Sequence, residues 1–269
     1  MLTTNKGASA PSKRSATMGN KTAAKTQRQK LANSAKIESR YAAKAVGNDD
    51  YRLDEFMPEG DQNKIVQSMI WNDLTVVNAP AGTGKTSVAL WKALQMLRSG
   101  DFRKLLFIKN PTEVGDDQIG FLSGDKTDKL AAHYESTKRI FQQFMTANKL
   151  ENDIGSGKIE LNIPNYLLGA TLDNTIVIID EAQLMSTETL KLLIERAGIN
   201  THVIVLGDVR QTYAIKKRSN GLHQILELLY PENEEGVREP IVDFIGYVEL
   251  TTDDNKRGRL SKLITEVFI

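Results

Sequence analysis

Ten residues, NAPAGTGKTS at Asn78–Ser87, constrain this chain more than any others. They lie between a short β-rich run, LTVVN, and an amphipathic segment, SVALWKALQMLRSG, that reads as a helix ending at Gly100. A glycine-rich turn from strand to helix aims backbone N–H groups and the positive end of the helix dipole at one point, which suits a phosphate group. The spacing is that of a phosphate-binding loop, with Ala79 where the formal pattern begins with glycine. The expected nucleotide contacts are Ala79, Pro80, Ala81, Gly82, Thr83, Gly84, Lys85, Thr86 and Ser87. Lys85 would neutralise charge on the outer phosphates, and Thr86 would place its hydroxyl on Mg²⁺.

A loop of this kind needs a parallel sheet behind it, and the rest of the chain supplies one. KLLFIK (Lys104–Lys109), TIVIID (Thr175–Asp180) and HVIVLGD (His202–Asp208) are apolar runs of buried-strand length. IELNI (Ile159–Ile163) and part of IVDFIGYVEL read as further strands. Helical segments alternate with them: DQNKIVQSMIWN, about Asp128–Asn148, TETLKLLIERAG, Gly221–Leu229 and Leu260–Phe268. The alternation predicts an α/β fold, one parallel sheet sandwiched by helices. Ligands of such sheets bind beyond the carboxyl ends of the strands.

Two more strand ends carry suitable chemistry. In TIVIIDEAQ, Asp180 would hold Mg²⁺ through water and Glu181 would polarise an attacking water. In LGDVRQT, Gln211 would sense the terminal phosphate or orient water, with Asp208 facing the same crevice. Charge developing on a transferred phosphoryl group also calls for a cation, and an arginine from a neighbouring copy is a common source. Arg196 and Arg257 are the candidates for that catalytic role, and one of them is expected to reach a neighbour's nucleotide. Gln62, upstream of the loop, reads from its own surroundings as a solvated helix glutamine.

Composition bears on compartment and partners. The chain has no cysteine, which excludes disulfides and thiol chemistry, and its three histidines lack ligand-like spacing. No apolar stretch opens the sequence and no window nears the roughly 20 apolar residues of a membrane span. The expectation is a cytoplasmic protein with no membrane contact. The net charge of +1 conceals a segregation. Residues 1–46 hold ten basic side chains and one acid, leaving 25 basic against 33 acidic beyond them, a body near −8. Residues 1–50 are therefore expected to form a largely disordered basic arm, and residues 51–269 the folded domain. The arm reads equally as a solubilising tail or as an electrostatic arm for nucleic acid.

In order, these segments resemble the PhoH-like ATPase family. IGFLSGD (Ile119–Asp125) is similar to the family's GFLPGD loop, LGATLDNTIVIIDEAQ to its RGRTL…DEAQ region, and VIVLGDVRQ to its VVTGDVTQ segment. Asn220–Leu222 and Asp254–Leu260 resemble its SGL and DVVRHPL segments, and Arg196 matches the arginine of its TRxG. The resemblance covers about Asp61 to Phe268. It implies a single RecA-like domain related to superfamily-one helicases, ATP hydrolysis, association with RNA or single-stranded DNA, and a homo-oligomeric ring such as a hexamer. It also assigns Gln62 to adenine. Two departures stand out: Leu168 and Ala170 replace two arginines of RGR, and Gly258 and Arg259 replace HP. A nucleotide-dependent switch or scaffold, and a small-molecule kinase, are the competing readings. A nuclease reading would have to rest on Asp116 and Asp117, which sit in a loop.

Overall fold

The computed structural model describes residues 50–110, 126–164, 171–211 and 220–267, with backbone only for 126–133. The basic arm, the loop bearing Asp116, Asp117 and IGFLSGD, and the substituted Leu168 and Ala170 lie outside the described residues. Among the described residues, no helix is long and apolar enough to cross a membrane.

Six strands form one sheet: β1 (Leu74–Asn78), β2 (Lys104–Lys109), β3 (Ile159–Asn162), β4 (Thr175–Asp180), β5 (His202–Gly207) and β6 (Ile245–Glu249). Their order is β3-β2-β4-β5-β1-β6, and every pairing is parallel. Parallel neighbours need crossover connections that cover both faces, so the inner strands must be apolar on both sides. β1 and β4 are buried throughout, whereas the edge strands β3 and β6 are partly exposed. The α/β expectation of one parallel sheet sandwiched by helices holds. β5 lies between β1 and β4, an order that no local pattern in the sequence encodes.

Side chains alternate across the pleat, so one sheet builds two cores. Leu106, Ile108, Val177, Ile179, Val203 and Val205 join the core that also takes in Leu190, Leu193, Leu222, Leu226 and Tyr230. These last residues come from α5 (Thr187–Ile194), α6 (Gly221–Leu229) and the residue after it. The opposite face belongs mainly to α2 (Lys85–Ser99), where Val88, Ala89, Leu90, Ala93 and Leu94 are fully buried. Gly100 ends α2 at φ 78°, with its N–H on the Leu97 carbonyl and the Asp101 N–H on that of Met96. This is the left-handed cap expected of glycine. Helix α1 (Gln62–Trp71) packs against α2 and against β6. A β-carbon on Gly246 would stand 2.1 Å from the Ser68 hydroxyl oxygen, so this approach requires glycine.

The helix expected over Asp128–Asn148 is two. α3 (Lys126–Phe141) stops, and α4 (Ala147–Gly155) restarts after Thr146, whose side chain accepts from the Lys149 N–H. Burial of Phe144 and Met145, the latter bridged to Tyr51, prevails over helix continuation. Helix α7 (Arg259–Val267) closes the described chain.

Register brings distant residues level at the carboxyl edge. Asn78 lies opposite Gly207, and Lys109 opposite Asp180. The polar residues that end β1, β2, β4 and β5 thus face one rim.

Candidate nucleotide site

The phosphate loop is held by its own side chains and by three outside segments. The Ala79 N–H bonds the Gly207 carbonyl at 2.9 Å, and the buried Thr83 hydroxyl donates to the Pro80 carbonyl at 2.9 Å. Gly82 and Gly84 have φ of 85° and 78°, left-handed conformations that other residues adopt only at a cost. Space enforces the same choice. A β-carbon at Gly84 would lie 2.8 Å from the Gln62 amide nitrogen, and one at Gly82 would lie 2.5 Å from the Asn255 side-chain oxygen.

Gln62 is buried behind this loop. Its Nε2 donates to the Thr83 carbonyl at 2.8 Å, and its Oε1 accepts from the Glu59 N–H at 3.0 Å. One N–H and one lone pair remain for any further partner. From the other side comes a strap after β6. Asn255 donates to the Ala81 carbonyl at 3.2 Å, the Lys256 N–H bonds the Gly82 carbonyl at 2.9 Å, and the Lys256 ammonium pairs with Glu59 at 2.9 Å.

In front of the loop is a cavity of about 330 Å³. Gly82, Gly84, Lys85, Thr86 and Ser87 line one wall, and Asp180, Glu181, Gln211 and Lys109 the other. Ala81 and Arg257 also reach it, whereas Thr83 and Gln62 do not, and Ala79 and Pro80 line a separate cavity with Asn78 and Glu249. The Thr86 hydroxyl donates to Asp180 at 3.0 Å, joining the first turn of α2 to the end of β4. Burial holds the Asp180 carboxyl above the usual carboxylate range. The adjacent Glu181 adds to that shift, while Lys109, Lys85 and the Thr86 hydrogen bond oppose it.

Hard oxygen donors beside a lysine fit a phosphate-bound Mg²⁺, which keeps part of its water shell and needs few protein ligands. Among the described residues no group of three His, Cys, Asp or Glu side chains could hold a metal alone. A metal here would therefore share its coordination with phosphate oxygens.

Sequence reasoning missed Gln183. It is buried, donates to Glu181 at 2.7 Å and to the Gln211 side-chain oxygen at 3.5 Å, and accepts from the Asp208 N–H at 3.3 Å. Gln211 in turn donates to Asp208 at 3.2 Å. One amide therefore ties together both strand ends that carry the expected water-handling groups. Glu181 itself sits at φ 55°, a left-handed conformation for a non-glycine residue directly after β4.

The two arginines part company. Arg257 lines the cavity of its own chain. Arg196 follows α5, where its carbonyl accepts the Leu172 N–H at 2.8 Å, and it does not line the cavity. Lys109, which the sequence pattern did not single out, adds another cation to the wall.

The family model described as PhoH-like protein matches residues 58–268. A PhoH-like protein of Bacillus subtilis is 32% identical over 207 residues, 77% of this chain and 61% of the relative. One from Synechocystis is 31% identical over 193 residues, covering 68% and 58%. Protein PhoH of Escherichia coli is 29% identical over 166 residues, covering 61% and 47%. The chain thus spans about half to three fifths of the length of these relatives. Among solved structures, the ATPase domain of a Thermus phage large terminase superposes with a TM-score of 0.48 at 16% identity, covering 75% of this chain and 84% of that one. On the family match and the sequence identities, the chain belongs to the PhoH-like protein family.

Proposed function

We propose that the chain binds ATP with Mg²⁺, hydrolyses it, and works as a ring-forming homo-oligomer, a hexamer among the sizes available, on RNA or single-stranded DNA. One observation carries the catalytic part: Lys85, Thr86, Asp180, Glu181 and Gln211 come from three separate strand ends yet line one cavity. Bound Mg²⁺ would supply charge neutralisation across the outer phosphates. Thr86 and Asp180 are the side chains to hold it. The N–H groups at Gly82–Lys85 cradle the phosphates at the N-terminus of α2, and Lys85 faces the outer ones.

Glu181 takes up the proton of the attacking water, and Gln183 and Gln211 fix its direction. Lys109 and Arg257 meet negative charge on the transferred group from within the same chain. Gln62 sets the loop's shape through the Thr83 carbonyl and retains one donor and one acceptor for adenine. Arg196 is the remaining candidate for contact with a neighbouring copy. The basic arm of residues 1–50 is an electrostatic contact for the nucleic-acid strand.

The test is phosphate release by the full chain, with and without single-stranded RNA or DNA, for the wild type and Lys85→Ala. Release that needs no phosphoryl acceptor, rises with the strand and disappears in Lys85→Ala is the expected result. Turnover surviving Lys85→Ala would overturn the site. A phosphorylated small-molecule acceptor would convert the reading to a kinase, and turnover indifferent to strands would favour a nucleotide switch.

A further inference from the structure

Helix α7 buries none of its residues. Leu260, Leu263, Ile264 and Val267, at i, i+3, i+4 and i+7, are 72%, 54%, 47% and 65% exposed. They make an apolar stripe along one face. The helix rests on the short turn Thr252–Asp254, where Lys262 pairs with Asp253 at 3.1 Å. Residues 256–267 carry four basic side chains and one acid.

A second uncovered apolar surface precedes β6, formed by Leu228, Ile241, Val242 and Phe244. The Ile241 N–H bonds the Leu229 carbonyl, so the end of α6 and this segment are adjacent. The surface is acidic. Residues 227–243 hold six carboxylates against Arg238 alone, and that arginine is already paired with Glu227 and Glu232. Glu234, Glu235, Glu239 and Asp243 are exposed.

The two surfaces match in apolar character and oppose in charge. They flank the two ends of β6, whose five residues alone span about 16 Å. The strap between them is fastened to the phosphate loop through Asn255 and Lys256, which holds α7 beyond the carboxyl end of β6.

We propose that α7 of one copy docks on the Leu228–Phe244 surface of the next. This rests on the oligomeric part of the reading above and names the surfaces that part requires. Two unlike patches on one chain make a head-to-tail contact, which closes into a ring when the rotation permits. Its consequence is chemical. α7 is continuous with the strap that holds Asn255 against Gly82 and Arg257 in the cavity, so the neighbour is anchored at the nucleotide rim. A nucleic-acid strand would engage the cations but leave the aliphatic stripe unused. A lipid surface would use both, yet leave the matching acidic patch uncovered.

The chain has no cysteine, so single-cysteine variants report contacts without background. Full-length Leu263→Cys mixed with full-length Ile241→Cys and mildly oxidised should give a disulfide-linked pair. Leu263→Cys mixed with Ile199→Cys, another exposed site, should not. Sedimentation of Leu263→Asp should show the dissociation constant between copies raised at least about a hundredfold, with unchanged thermal unfolding and retained binding of a fluorescent ATP analogue. Arg259→Glu should weaken assembly, and Glu239→Lys in the same chain should partly restore it. An oligomeric wild type with no Leu263–Ile241 cross-link and no effect of Leu263→Asp overturns these surfaces and leaves the oligomeric reading intact. A wild type that stays monomeric at every concentration overturns both. Loss of binding to phosphatidylserine vesicles in Leu263→Asp, with no change in size, would assign α7 to a membrane instead.

Discussion

The hydroxyl of Thr86 stands 3.0 Å from a carboxylate oxygen of Asp180, across 94 residues of sequence. The pair exists because β1 and β4 end at one rim, and α2 starts just above it. In the proposed function these two hard oxygens are the side-chain atoms that would hold a magnesium ion. Thr86→Ser keeps the hydroxyl and should keep turnover near wild type. Thr86→Val keeps the volume and loses the oxygen, so kcat for phosphate release should fall on the order of 10²-fold. A magnesium titration of the ATPase rate checks this, since the valine variant should also need more metal to reach its maximum.

Gly82 is constrained twice, by φ 85° and by Asn255. Gly82→Ala should cost about 1–2 kcal/mol for the left-handed conformation and more for the clash. Asn255→Gly in the same chain removes the clash together with the hydrogen bonds to the Ala81 carbonyl and from the Arg257 N–H, a smaller loss at this partly exposed strap. The double variant should therefore unfold at a higher temperature than Gly82→Ala while remaining below wild type. Equal melting of the single and double variants would show that the strap yields freely.

Gln183 bonds Glu181 and Gln211 at once, and its two roles separate by substitution. Gln183→Leu removes the positioning amide. It should lower kcat roughly 10- to 100-fold, the usual effect of losing a partner behind a catalytic group, with KM for ATP nearly unchanged. Gln183→Glu places a carboxylate against Glu181. The two share a proton more readily, so the rate should need higher pH to reach its plateau. A pH profile that does not move in Gln183→Glu would remove Gln183 from the positioning role.

The parts of this structure that rest on local pattern were legible in advance. β1, β2, β4 and β5 begin and end where their apolar runs do, because strands buried on both faces need uninterrupted β-branched and aliphatic residues. The phosphate loop was legible because its glycines answer to local backbone geometry. What escaped depends on partners far along the chain. Gln183 looks like any polar residue after a strand until Gly207 and Asp208 pack over it. Asn255 gains meaning only where β6 delivers it to Gly82, and Lys109 only through its register with Asp180. The break between α3 and α4 likewise follows from burial of Phe144 and Met145, which helical periodicity does not show. For Arg257, only the fold shows that it lines the cavity of its own chain.

His202 makes stability depend on pH. It begins β5 with its ring edge-on to Phe102 at 4.9 Å between centroids, and Nδ1 lies 3.3 Å from the Met69 carbonyl. Burial lowers its pKa below the usual histidine value, against smaller opposing effects of Asp73 and the Met69 carbonyl. Asp73 is the charged group facing it, at 3.8 Å. A depressed value means that the unfolded chain takes up the proton first, near pH 6.5. Stability should hold above about pH 7 and decline as pH falls through 6.5 toward the folded value, since protonation then favours the unfolded state. Melting temperatures from pH 8 to 5.5 test this. His202→Gln removes the titrating ring and should flatten that decline, even though it lowers the plateau by losing the Phe102 contact. A decline that keeps its slope in His202→Gln would place the acid sensitivity elsewhere in the chain.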